Sequence, residues 1–389
     1  MKLALLFVTC MVCLSLSACG GGQSSNASMS SVALIGQEIF KDVSLSGSGQ
    51  MSCATCHDPD LGHASPFTTS VAFGGVNLDM SGLRLPPAIR YLRFNTAFYI
   101  ASDGTPTGGF FWDGRANSLA EQARGPFLND HEMANASVSD VVRKIEAASY
   151  APKFRAVFGA DIFSNPDAAF DRVVQALARY QQEDTDFAPF SSKFDAVNAG
   201  RASFTDQELR GLAWFIRSDK GNCAACHPST KPDNAPAALF TDFSYDSLGV
   251  PRNSAIVSNN DVAFFDKGLC GPVRTNLSTR TDLCGAFKVP SLRNVALRKH
   301  FFHNGKFDNL REAIEFYVTR DTQPQLWYPQ DPQGNLVVYN DLPSLLRGNV
   351  NVTEAPYNRT RGQTAALNTQ EIDDLLVFLS TLTDGFFSP

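Results

Sequence analysis

The chain has 389 residues, 43% hydrophobic and 19% charged, which is ordinary globular composition with room for two cores. Its formal net charge is -6 and it contains no basic run, so the basic face that phosphate binding requires is absent and no nucleic-acid partner is expected.

Lys2 and the apolar stretch LALLFVTCMVCLSLSA read as an export signal over residues 1–19. The run is short for a membrane span and ends in small residues, which sets it against a retained helix. Leu16 to Cys19, LSAC, resembles the bacterial lipobox, so Cys19 is expected to carry lipid and hold the protein to a bacterial membrane, in the periplasm or at the cell surface. A plain cleaved signal is the alternative. GGGQSSNASMSS follows, a flexible composition that makes residues 20–32 a tether.

The folded body opens with GQEIF, Gly36 to Phe40, and then Cys53-Ala54-Thr55-Cys56-His57. This is CxxCH, the c-type haem attachment pattern: two thiols three positions apart reach the two vinyl groups of one porphyrin, and the adjacent imidazole meets the iron. An amphipathic helix is predicted over Phe170 to Phe187. The plan then repeats, with GLAWF at Gly211 to Phe215, a second CxxCH at Cys223, Cys226 and His227, and a closing helix predicted over Glu371 to Phe386. Zinc would need ligands gathered from both motifs, and a redox CxxC has no need of the His.

The expected fold is therefore mainly α: two fused c-type cytochrome-like domains with long irregular loops, over 33–195 and 196–389, carrying two covalently bound haem c groups. Cys270 and Cys284 lie outside both haem frames, and in an oxidising compartment a disulfide closing that loop is expected. LREAIEFYVTR, Leu310 to Arg320, is a predicted helix with Leu310, Ala313, Ile314, Tyr317 and Val318 on one face.

His57 and His227 each leave one iron position undecided, and that position separates electron transfer from catalysis. All six Met lie at or before Met133, so the second domain has none to offer. Its candidates are His300, His303 and Tyr317, and on ligand chemistry a His is preferred.

Two blocks, FFWDGRANSLAEQARGPFLNDHEM at Phe110 to Met133 and AFKVPSLRNVALRKHFFHNGKFDNLREAIEFY at Ala286 to Tyr317, resemble the signatures of bacterial di-haem cytochrome c peroxidases and their MauG-type relatives. The resemblance implies that haem 1, on His57, meets H2O2 while haem 2, on His227, supplies or stores electrons. It implies Trp112 as a relay between the haems, Glu132 as general acid/base over haem 1, Gln122 as the group that orients peroxide and Pro126 as a wall of that pocket. Tyr317 stands where peroxidase members place the haem 2 Met and MauG-type members a Tyr, an anionic ligand that favours stored oxidation. His63, six residues after His57, is too near to swing over the distal face, so haem 1 is expected to be open.

Two departures argue against the inter-haem calcium that the resemblance would otherwise imply. Leu85 occupies the place of an Asn ligand, and Arg298-Lys299-His300 the place of a carbonyl turn. His303 is expected to hydrogen-bond locally. The implied function is a peroxide-dependent oxidoreductase delivering oxidising equivalents to a partner protein, with a Trp or other aromatic residue as target. The alternatives are H2O2 detoxification with electrons from a small cytochrome or copper protein, and a di-haem electron carrier.

Overall fold

The computed structural model describes residues 28–387; the signal, Cys19 and the tether up to residue 27 lie outside the described residues. What is described is mainly helical and divides into two cores.

The first core is built on α1 (Ser31–Lys41) and α6 (Pro166–Glu183). Ser30 caps α1 by accepting from the Ala33 N–H, and the apolar spacing puts Ala33, Ile35, Ile39 and Phe40 on its buried face. Asn165 caps α6 and Pro166 starts it, a favourable first helical position. The two helices cross so closely that a Cβ on Gly36 would lie 2.0 Å from the Ala176 carbonyl oxygen. Between them come α2 (Cys53–Cys56), α3 (Leu119–Leu128), α4 (Val138–Ala147) and α5 (Ala151–Phe158). Phe40, Phe127, Phe154, Phe170 and Phe187 fill the space, each burial stabilising by about 1.5–3 kcal/mol.

The second core begins at Phe194 in α7 (Lys193–Asn198) and repeats the crossing with α8 (Asp206–Ile216) on α10 (Thr369–Ser380). Here a Cβ on Gly211 would lie 2.0 Å from the Asp374 carbonyl oxygen. The resemblance between GQEIF and GLAWF thus has a steric cause: each opens on the glycine that lets its helix touch the backbone of the closing helix. α9 (Leu310–Thr319) packs on this core, capped by Asn309 accepting from the Glu312 N–H at 2.8 Å. Its buried side chains are Ala313, Ile314, Phe316 and Val318, so the apolar face is wider than its spacing predicts.

Both closing helices start and end earlier than expected, α6 beginning at Pro166 instead of Phe170 and α10 at Thr369 instead of Glu371. α6 ends at Glu183 because the Asp184 carboxylate takes the Asp186 N–H at 2.9 Å and opens a separate 3-10 turn. α10 ends at Ser380, where the Thr381 hydroxyl donates back to the Phe378 carbonyl at 2.6 Å.

The strands are three two-residue antiparallel ribbons: β1 (Phe73–Gly74) with β2 (Met80–Ser81), β3 (Tyr99–Ile100) with β4 (Pro106–Thr107), and β5 (Tyr245–Asp246) with β6 (Phe287–Lys288). Cys270 and Cys284 form a disulfide with their Cα atoms 5.0 Å apart. The halves are joined by buried polar contacts. Arg84 bonds Asp113 at 2.8 Å and Asp266 at 2.6 Å, and the Tyr91 hydroxyl donates to Asp384 at 2.8 Å.

Candidate active site

At the first CxxCH motif, Ser52 and Thr55 cap α2 reciprocally, with the Ser52 N–H donating to the Thr55 hydroxyl at 3.0 Å. This short turn presents Cys53 and Cys56 one after the other and releases His57 at its end. Burial pushes both thiols up to about 12, and the Glu132 carboxylate adds to each shift. Burial also pulls His57 down to about 4, helped by neighbouring His63. The Pro87 and His63 carbonyls oppose that shift slightly, yet the His57 Nδ1 has no partner in hydrogen-bond geometry among the described residues.

Glu132 therefore shares a space with the two thiols. Its carboxyl is raised by burial, against the lowering effects of an Asn129 hydrogen bond at 2.7 Å and the charges of Arg115 and His131. By surface Glu132 is half-buried, and burial is the main cause of that rise. Pro126 lies inside α3, and its carbonyl accepts the Met133 N–H at 3.0 Å, folding the turn that carries Glu132 back over the helix. Gln122 lies one turn before Pro126 on the same face, half-buried, with no side-chain hydrogen bond among the described residues.

His63 lies in the loop after the 3-10 turn Pro59–Leu61, as expected, but its side chain is not a solvated one. It is fully buried, its Nε2 is 2.8 Å from Asp186, and its ring stacks on Phe187 at 4.0 Å. Moving it would break this hydrogen bond and open the first core.

At the second motif the His227 Nδ1 is 2.9 Å from the Phe240 carbonyl oxygen, which fixes the ring and leaves Nε2 free to take a metal. Burial pushes Cys223 and Cys226 up to about 12 and lowers His227. These three line a cavity of about 200 Å³, walled mainly by apolar side chains. Tyr317 reaches the same cavity from α9. Burial raises its phenol well above the ordinary value, with the charges of Cys226, Asp246 and Cys223 adding, so the ring stands near the attachment thiols. Among the described residues its hydroxyl has no hydrogen-bond partner; its ring touches Phe302 at 5.3 Å and Tyr357 at 5.9 Å between centroids.

His300 and His303 also line the cavity. His303 differs from its expected role: its ring stacks on Phe287 at 3.4 Å, Asp341 at 3.6 Å is beyond hydrogen-bond reach, and only its backbone carbonyl is engaged, by the Leu85 N–H at 2.8 Å. The His300 Nδ1 is buried without a partner among the described residues.

Trp112 forms part of the cavity wall toward the first half. It is buried, and its Nε1–H donates to the Leu85 carbonyl at 2.7 Å. Asp113, fully buried and held by Arg84 at 2.8 Å and Arg115 at 2.9 Å, locks the turn that presents it. Leu85 thus has both backbone groups engaged, one by the His303 carbonyl and one by the indole.

The residues fit haem c at both motifs: paired thiols outside any disulfide, an imidazole nitrogen left free, and for the second a cavity lined mainly by apolar side chains. Sequence reasoning missed the place in this cavity of Asp246 and Tyr357, from segments outside any motif, and of Lys288 and Arg298, which lie in the block Ala286 to Tyr317 but were given no role at the haem. Among the described residues no helix is long and apolar enough to cross a membrane.

Residues 30–203 match the model of the di-haem cytochrome c peroxidases. Over 383 residues the chain is 33% identical to the methylamine utilization protein MauG of Paracoccus denitrificans, covering 96% of this chain and 93% of that protein. It is 31% identical over 287 residues to the cytochrome c551 peroxidase of Nitrosomonas europaea, covering 73% and 72% of the two chains. The di-haem peroxidase BthA of Burkholderia thailandensis superposes with a TM-score of 0.83 at 39% identity, covering 91% of this chain and 86% of that one. Such relatives define a peroxide-dependent oxidoreductase with two haem c groups. The chain belongs to the di-haem cytochrome c peroxidase family.

Proposed function

We propose that the protein consumes H2O2 at the haem held by Cys53, Cys56 and His57. Cys223, Cys226, His227 and Tyr317 would hold a second haem, and its redox chemistry would serve the oxidation of an aromatic residue, Trp in particular, of a partner protein. Haem supplies the redox chemistry and the peroxide-binding iron; the chain supplies everything that directs it.

Glu132, its carboxyl raised by burial, accepts a proton from incoming peroxide and returns it to the departing oxygen. Gln122 orients the peroxide and Pro126 closes the wall. Hydrogen-bonded to Asp186 and stacked on Phe187, His63 stays away from that face. Trp112, in the wall between the halves, relays charge. No calcium is assigned, since Leu85 brings no side-chain ligand and its backbone is already engaged. On the strength of the signal and Cys19 we place the protein outside the cytoplasm, anchored by lipid.

The observation that carries this reading is Tyr317. Tyr317 enters the cavity from α9 beside the thiols of the second motif, where a phenolate would be a hard anionic ligand for the iron. The test is to record optical and EPR spectra of the ferric protein and add peroxide without reductant. A high-spin first haem, a low-spin signal altered by Tyr317→Phe, and an oxidised state that survives until a Trp-bearing partner is added are expected. An unchanged low-spin signal in Tyr317→Phe removes Tyr317 from the iron. Rapid turnover with a reduced small cytochrome or copper protein, without a long-lived oxidised state, supports detoxification instead, and two low-spin haems inert to peroxide leave an electron carrier.

A further inference from the structure

Among the described residues most interior arginines are paired with carboxylates, Arg274, held by the Asn276 side chain and the Asp113 carbonyl, being an exception. Arg84 holds Asp113 and Asp266, Arg293 holds Asp195 at 2.8 Å, and Arg320 holds Asp321 at 2.8 Å. Arg298 also breaks the pattern. Its Nη2 donates to the Ser291 carbonyl at 2.5 Å and the Arg293 carbonyl at 3.1 Å, its Nε is buried with no partner, and it has no carboxylate within ion-pair distance among the described residues. The side chain lies in the wall of the cavity that also holds Cys226, His227 and Trp112, and its positive charge is felt at His227.

An unpaired cation set this deep costs several kcal/mol in desolvation, and backbone carbonyls compensate only part of it. What is missing is an anion on the cavity side. Haem c brings two carboxylates, and they remain free because attachment to Cys223 and Cys226 uses the vinyl groups. We propose that Arg298 is the carboxylate anchor of the second haem: its guanidinium takes a porphyrin carboxylate in a charge-assisted hydrogen bond, fixes the porphyrin's orientation in the cavity and raises the haem's reduction potential. This rests on the reading above only in placing haem at Cys223, Cys226 and His227. Burial pulls Arg298 down to about 10 with no acidic neighbour to offset it, consistent with a counter-charge that arrives with the cofactor.

The sign of the effect on potential is fixed by electrostatics. A fixed positive charge beside the porphyrin disfavours the ferric state, so losing it makes the haem harder to reduce. The experiment compares holoprotein carrying Arg298→Gln, Arg298→Lys and, as a charge control, the exposed Arg217→Gln, by potentiometric titration with haem content measured on each. The glutamine variant at Arg298 is expected to lower the second haem's reduction equilibrium constant about tenfold, about 59 mV for a one-electron couple, with the first haem unmoved. Arg298→Lys, which keeps the charge, is expected to recover most of that shift, and Arg217→Gln to show little.

A shift in Arg298→Gln no larger than in Arg217→Gln overturns the proposal, as does an equal shift in Arg298→Lys. Should Arg298→Gln give no folded holoprotein, resonance Raman of Arg298→Lys decides: a displaced propionate bending mode supports the anchor, and an unmoved one overturns it. Wild-type protein with fewer than two covalent haems overturns this inference together with the functional reading, whereas two haems and an unmoved potential overturn the anchor only.

Discussion

The two CxxCH sites stand on the same scaffold and face different chemistry. Each follows a helix whose glycine, Gly36 or Gly211, lies against the backbone of a closing helix. Beside the first pair of thiols is a carboxylate, Glu132, on a turn folded over α3; beside the second is a phenol, Tyr317, with an unpaired guanidinium and a wall of aromatic rings. The scaffold is repeated in the helices, and the difference lies in the segments inserted between them. A site that must move protons and a site that must hold charge can share a backbone because neither task is performed by it.

The largest test of that contrast is Glu132→Gln. Loss of a positioned proton-transfer group lowers a rate by about 10²–10⁴-fold, so peroxide reaction followed by stopped flow should slow by that factor while the second haem's spectrum stays as in wild type. The pH profile adds a sign. Because the Glu132 carboxyl is raised by burial, the wild-type rate should fall as pH drops through a value above the ordinary carboxylate range, and the variant should lack that limb. The folded state also holds a proton there that the unfolded chain has released. Glu132 thus costs stability as pH rises from the ordinary carboxylate value through its folded one, a cost the glutamine variant should not show. A variant with wild-type rate would leave the two sites without the proposed division of labour.

Legibility in the sequence followed the range of the interactions. The CxxCH frames are local, and so are the caps and the leftover Cys pair, whose disulfide the structure contains. The glycines of GQEIF and GLAWF were visible as a repeat, but their reason lies in carbonyls of Ala176 and Asp374, more than a hundred residues away. Tyr317 emerged because the second half has no Met and a family block supplied the register; its helical spacing would have left it as packing. Asp246 carried no signal, and Arg298 was visible only as part of a departing turn, since what distinguishes them is the absence or presence of a charged neighbour after folding. His63 was expected in a loop, and its stacking on Phe187 could not be read from spacing.

The glycine crossings give a smaller effect. Gly→Ala inside a helix ordinarily gains about 1 kcal/mol, but here the new Cβ would meet a carbonyl oxygen at 2.0 Å in both halves. Overpacking of this kind costs about 1–3 kcal/mol, so Gly36→Ala and Gly211→Ala should each lower the midpoint of chemical denaturation despite the better helix former. If one variant is stabilised and the other is not, the two crossings are only superficially alike.

The smallest expected difference is at the caps of the closing helices. Asn165 accepts from the Ala168 N–H at 3.1 Å at the head of α6. Asn368 accepts from the Glu371 N–H at 3.0 Å at the head of α10, where Glu371 answers by accepting from the Asn368 N–H at 2.9 Å and takes Lys220 at 2.8 Å. Replacing either Asn by Ala should cost about 1 kcal/mol, measured by denaturation of each holoprotein. The Asn368 variant keeps the return bond from Glu371, which needs only the backbone of residue 368, so its loss should be no greater than that of Asn165→Ala. A clearly larger loss at Asn368 would mean that the Lys220–Glu371 pair depends on the cap. The second closing helix would then be held to α8 by a coupled polar network that the first lacks, and the repetition of the scaffold would end at its geometry.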